Sequence, residues 1–133
     1  VFEGVDGTVI GAPCDLHTGA AGQDLDRADF ALGTPRHALV LAQSGPHSAD
    51  YVQAPEEVPF IHPGTAGDVS PQVRADMVFF ETDGGGAVFS TGSIAWASTM
   101  QINGTLTDVG RVTRNVLRRF ADPAPFAIPP EMD

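Results

Sequence analysis

The sequence predicts an α/β domain with a small mixed sheet, a β-hairpin and one long C-terminal helix, and three features carry that expectation. The apolar runs Met77–Thr82 and Ala87–Thr91 flank Asp83-Gly84-Gly85-Gly86, the pattern of a hairpin closed by a glycine-permissive turn. Val109, Val112, Val116, Leu117 and Phe120 recur at helical spacing behind Thr107 or Asp108 as cap, and Asp122-Pro123 stops the run. Ala38–Ala42 is a short apolar stretch ended by Ser44-Gly45-Pro46, which suits a buried strand better than a helix.

The remaining elements follow in order. Residues 1–35 are rich in Gly, Asp and Ala and form a loop-rich opening, with one short strand expected at Thr8–Ile10 and a helical turn within Ala21–Phe30. Tyr51–Gln53 reads as a second short strand, and the Pro- and Gly-rich stretch Ala54–Pro71 as a long surface loop. Ile94–Met100 is a mixed apolar segment holding the only tryptophan, Trp96. Sheet, hairpin and helix thus occupy 36–122, and 123–133 is an extended tail with four prolines. The hairpin strands do not alternate, so both sheet faces are expected to be buried, which requires two covering layers. Only one convincing long helix is present. The expected unit is one domain spanning 1–133, or a fragment of one, and Val1 in place of an initiator methionine agrees with a fragment or processed product.

Charge and composition exclude several functions. Seventeen acids oppose seven bases, a net charge of −10, and every base is arginine. That surface repels phosphates and anionic lipid, so neither nucleic acid nor membrane is expected as a partner. Without lysine there is neither Schiff-base chemistry nor a phosphate-binding P-loop. One cysteine, Cys14, forbids a disulfide within the chain, and with no leader-like opening a cytoplasmic setting is expected.

Few constellations carry chemistry. Cys14 and His17 sit in a Gly/Pro setting that does not make a thiolate–imidazole pair. His17, His37, His47 and His62 are scattered, and none forms the i, i+4 pair of a helical zinc site. His47-Ser48-Ala49-Asp50, a polar cluster just past the 38–42 strand, lies where α/β folds keep their sites, although the same residues also make a simple turn. Asp24-Leu25-Asp26-Arg27-Ala28-Asp29 gathers three acids around one arginine. A carboxylate oriented by Arg27 acts as a general base or holds a metal-bound water; a salt-bridged loop or a helix N-terminus accounts for the same residues. Ser93 lacks the final glycine of a nucleophile elbow, and Asn103-Gly104-Thr105 reads as a turn.

The segments RADMVFFETDGGGAVFSTGSIAWASTM and DVGRVTRNVLRRFADPAPF resemble the C-terminal end of the large (beta) subunit of the N,N-dimethylformamidase family, and GAAGQDLDRADFALGTPRHALVLAQSGPHSADY resembles the stretch before it. The resemblance implies the C-terminal part of a glutamine-amidotransferase-like, flavodoxin-like layered domain within a large protein, incomplete as an isolated chain. It also implies hydrolysis of N-substituted formamides by the full-length enzyme. The iron of that enzyme, held by two tyrosines and a glutamate, would act as a Lewis acid. This chain has one tyrosine, Tyr51, so no cofactor or metal site is expected within it. The candidate site residues are Asp24 and Asp26 as supporting acids, Arg27 orienting them, and His47. The expected partners are upstream domains of the same polypeptide or another subunit, with a homo-oligomer also open. The alternative is a non-catalytic assembly module that buries an uncovered sheet face; a stand-alone metallohydrolase using His47, Asp50 and the 24–29 acids is the third reading.

Overall fold

The computed structural model describes residues 1–11, 19–54 and 57–128. Cys14 and His17 lie outside the described residues. Three strands, β1 (Leu39–Gln43), β2 (Asp76–Glu81) and β3 (Ala87–Ser90), form a sheet in the order β1-β2-β3. Both pairings are antiparallel, so the mixed sheet expected from the sequence is corrected. Antiparallel neighbours do not need the crossover helix of parallel strands: β2 and β3 join through a short hairpin turn, and β1 reaches β2 through the long 44–75 connection. A 3-10 helix (Ile94–Thr99) follows, then a two-residue hairpin of β4 (Gln101–Ile102) and β5 (Thr105–Leu106), then α1 (Asp108–Phe120).

The helix forms where its signals stand. The Thr107 hydroxyl accepts the Gly110 N–H at 3.2 Å, Asp108 sits at the positive end of the helix dipole, and Arg118 and Arg119 occupy the last turn. Val109, Val112 and Val116 are buried, each stabilising the fold by roughly 1.5–3 kcal/mol. Leu117 and Phe120, expected in the same stripe, are 62% and 40% exposed. The inward face is therefore narrower than the sequence suggests.

Other expectations also change. No strand forms at Thr8–Ile10, and Ala21–Phe30 is not helical; bridges at Gly22–Asp24 and Leu25–Ser93 give it an extended course. Tyr51–Gln53 contributes a single bridge, Val52 to Ala66. Met77 and Val78, on opposite faces of β2, are both buried, as a doubly covered sheet requires. Cover thins beyond them: Leu39 and Val40 on β1 and Val88 on β3 are exposed.

The described part of the tail, 123–128, packs against the fold. Phe126 packs its ring on Phe79 of β2 and Phe120 of α1, with centroids 5.7 and 5.4 Å away. Its N–H donates to the Gly85 carbonyl at 2.8 Å, and the Arg119 guanidinium lies 3.7 Å from its ring centroid. Phe126 thus ties helix and sheet together through its ring and the hairpin turn through its backbone.

The extended 22–28 segment is locked in from both sides. The Asp26 N–H donates to the Gly92 carbonyl and the Asp76 N–H to the Asp26 carbonyl, each at 2.9 Å. The carboxylate of Asp76, 1% exposed as a residue, accepts from the Ala28 N–H, the Gln43 amide and Arg74 Nε at 2.8, 3.0 and 2.9 Å. Asp76 therefore joins three stretches of chain at the start of β2.

Candidate functional site

The 22–28 segment also carries the candidate acids. Ser93 Oγ accepts the Gly22 N–H at 2.9 Å and donates to the Gly22 carbonyl at 2.8 Å, fixing the two peptide units that flank the Gly22 Cα. Gln23 then takes a φ of 66°, a left-handed conformation that a residue with a Cβ rarely adopts. Its N–H donates to the Tyr51 hydroxyl at 3.4 Å. The turn exposes Asp24, and Asp26 is exposed two residues on; neither side chain has a hydrogen-bond partner among the described residues. These carboxylates are free to meet a substrate or another surface.

Arg27 does not orient them, which corrects the sequence expectation. Its guanidinium bonds Glu57 and, at 2.9 Å, Asp29. Burial opposes the Arg27 charge, but hydrogen bonding to and charge attraction by Glu57, then Asp29, outweigh it and raise its pKa. Asp29 accepts the Ala31 and Leu32 N–H groups, and these bonds together with Arg27 hold its carboxyl below the ordinary value against some desolvation. The cluster divides: Asp24 and Asp26 face outward, while Arg27 clamps the segment to the 54–66 loop.

His47 belongs to the same region. Its ring lies 5.1 Å from that of Tyr51, whose hydroxyl holds Gln23. Ser44 Oγ accepts the Ala75 N–H at 2.8 Å and lies 2.7 Å from His47 Nε2. The two side chains are therefore hydrogen-bonded, and the imidazole tautomer sets which of them donates. Burial lowers the His47 pKa. Ser44, His47, Met77, Thr91 and Trp96 contribute to the wall of an open cavity of about 380 Å³ on this side. Asp50 is turned into its own loop by the Ser48 hydroxyl at 3.2 Å.

The His47 arrangement has a pH signature. The folded chain holds His47 neutral, whereas the unfolded chain takes up a proton near pH 6.5, so this contribution to stability is fully present above about pH 6.5. It is lost as the pH falls from there through the lower folded pKa. The urea midpoint of the wild type is expected to drop more steeply over that acidic range than that of His47→Gln, whose amide keeps a hydrogen bond to Ser44 but does not titrate. Parallel curves for the two proteins refute this assignment.

Sequence reasoning missed Ser44, Tyr51, Ser93 and Asp76. Ser44 stands three residues before His47 in Ser44-Gly45-Pro46-His47, a spacing that a tight turn brings together, and was legible in principle. Ser93 and Asp76 join the site only through contacts distant in sequence, and Tyr51, although near His47 in the chain, reaches Gln23 across 28 residues.

The iron ligands implied by the resemblance do not match this arrangement. The single tyrosine is engaged with the Gln23 N–H, and no cluster of three or more His, Cys, Asp or Glu suited to a metal occurs among the described residues.

The fold and site define an α/β unit whose antiparallel sheet and C-terminal helix support a strained loop presenting free carboxylates. Residues 1–109 match the family described as N,N-dimethylformamidase beta subunit-like, C-terminal, and the chain belongs to that family. It is 44% identical over 123 residues to the N,N-dimethylformamidase beta subunit of Paracoccus aminophilus and 43% identical over 122 residues to that of an Alcaligenes species. These alignments cover 91% and 90% of this chain but 15% of each relative, so the chain spans about one-seventh of their length.

Proposed function

We propose that this chain serves as the C-terminal region of a dimethylformamidase-type amidohydrolase that cleaves the C–N bond of small N-substituted amides. The observation that carries the reading is the 44% identity over 91% of the chain to a dimethylformamidase beta subunit. The sheet, hairpin and α1 close a glutamine-amidotransferase-like layered domain completed by upstream domains or another subunit. The iron is held by residues outside this chain, and the isolated chain is inactive. Asp24, on the turn made by Gln23, faces the catalytic part of the full-length protein and acts as a supporting acid–base group, with Asp26 beside it. His47 and Arg27 act as positioning residues: His47 sets Tyr51 behind Gln23, and Arg27 clamps the segment.

The test is amine release by the full-length protein. Asp24→Asn is expected to lower kcat/KM by about 100-fold or more, the usual contribution of a positioned acid–base group, with Asp26→Asn losing less. Turnover unchanged in both variants removes these acids from the mechanism.

A second reading, a non-catalytic assembly module, is favoured by the exposed Leu39, Val40 and Val88 on the sheet. It predicts homo- or hetero-oligomerisation through that face, and a homo-oligomer is expected to be dissociated by Val40→Asp in sedimentation experiments.

A further inference from the structure

A second surface lies along α1. The helix buries Val109, Val112 and Val116, while Gly110, Leu117 and Ala121 recur on another side and line an open groove of about 620 Å³ with Met100 and Leu106. The groove is held at a fixed width, because Gly110 comes so close to the hairpin that a Cβ there would collide with the Met100 carbonyl and the Leu106 side chain. Its lining is mainly apolar, and Leu117 is 62% exposed.

The charges beside it are unusual for this chain. Seventeen acids are available to seven arginines, and Arg27, Arg74 and Arg111 all have carboxylate partners. Arg119 is taken up by the Ala124 and Pro125 carbonyls and the Phe126 ring. Arg36, Arg114 and Arg118 make no ion pair among the described residues, and of these three Arg114 and Arg118 line the groove. They stand i, i+4 on the helix, about 6 Å apart along its axis.

We propose that this groove docks an acidic amphipathic polypeptide segment. Two carboxylates one helical turn apart meet Arg114 and Arg118, and an apolar side chain between them enters the floor beside Leu106 and Leu117. Charge complementarity selects this occupant. A second copy packed two-fold on the same face would set arginine against arginine, and the net charge of −10 repels nucleic acid from the molecule as a whole. The inference is independent of the amide-hydrolase reading.

The probe is a synthetic peptide of about four helical turns, with leucines along one face and glutamates at i, i+4 beside them. Binding is read by isothermal titration calorimetry on the full-length protein. The titration is expected to show saturable binding that weakens with salt and falls at least about 10-fold in Arg114→Glu/Arg118→Glu. A peptide with lysines in place of the glutamates is expected to bind that variant and not the wild type. Arg114→Gln/Arg118→Gln, which neutralises rather than reverses the pair, gives the same loss if the reversed variant does not fold. The inference is overturned by absence of binding up to about 1 mM peptide, the limit of a weak contact. It is equally overturned by equal affinity for wild type and variants, by equal competition from double-stranded DNA, or by self-association that Leu117→Glu abolishes.

Discussion

Asp76→Ala is expected to destabilise the protein by about 3–5 kcal/mol, the usual result of removing one member of a buried, hydrogen-bonded ion pair. The side chain of Asp76 is fully buried, whereas Arg74 keeps 23% of its side-chain exposure. Three donors converge on the carboxylate: the Ala28 N–H on Oδ2, and Gln43 Nε2 and Arg74 Nε on Oδ1. Alanine leaves all three without their acceptor; Arg74 recovers water most easily, and the other two depend on how far water penetrates. Asp76→Asn separates charge from acceptor number. Its amide oxygen serves Gln43 and Arg74, but its NH₂ then faces the Ala28 N–H, donor against donor, so the isosteric change is expected to cost about 2 kcal/mol or more. Urea denaturation gives both values. Exchange of the Ala28 amide reads the mechanism, since loss of Oδ2 frees the 22–28 segment before the sheet opens. Near-normal stability of Asp76→Ala would show that this segment is held by its backbone bonds alone.

That segment marks where sequence reasoning ends. The helix was legible because its cap, valine stripe and Asp-Pro stop lie within one short window, and the hairpin because its turn glycines separate two apolar runs. Local patterns sufficed there. The partners of 22–28 are Ser93, Asp76 and Tyr51, 71, 48 and 28 residues away along the chain. Composition marks such a stretch as loop, and the Asp-rich run imitates a helix start. The acids Asp24 and Asp26 were visible as a cluster, but the role given to Arg27 failed because Glu57, 30 residues on, competes for its guanidinium together with Asp29. Leu117 misled for a different reason. Residues 116 and 117 both fit a broad helical stripe, and only tertiary packing decides that Val116 is covered while Leu117 faces the groove.

The same backbone junction makes Gly92→Ala the second large effect. Gly92 has a φ of +64°, where a Cβ meets its own backbone and costs roughly 1–2 kcal/mol. The added methyl would also lie 2.5 Å from the Asp26 carbonyl oxygen and 2.7 and 2.9 Å from the Asp76 carbonyl oxygen and nitrogen. All three atoms are backbone, so no side chain can swing aside. Relief requires separating the 22–28 segment from β2, which breaks the bonds of Asp26 to Gly92 and Asp76. Overpacking of this kind costs a further 1–3 kcal/mol, so the expected total is about 2–5 kcal/mol, a large part of a typical domain's stability. Gly104→Ala is the matched control: its φ is +76°, yet nothing lies within 4 Å of the added atom, so it carries the conformational cost alone. A urea midpoint for Gly92→Ala well below that of Gly104→Ala isolates the close approach. Equal midpoints would mean that the junction has slack. In that case the Asp24 turn, which leans on the same junction through Leu25 and Ser93, is not held rigidly enough to position a catalytic acid.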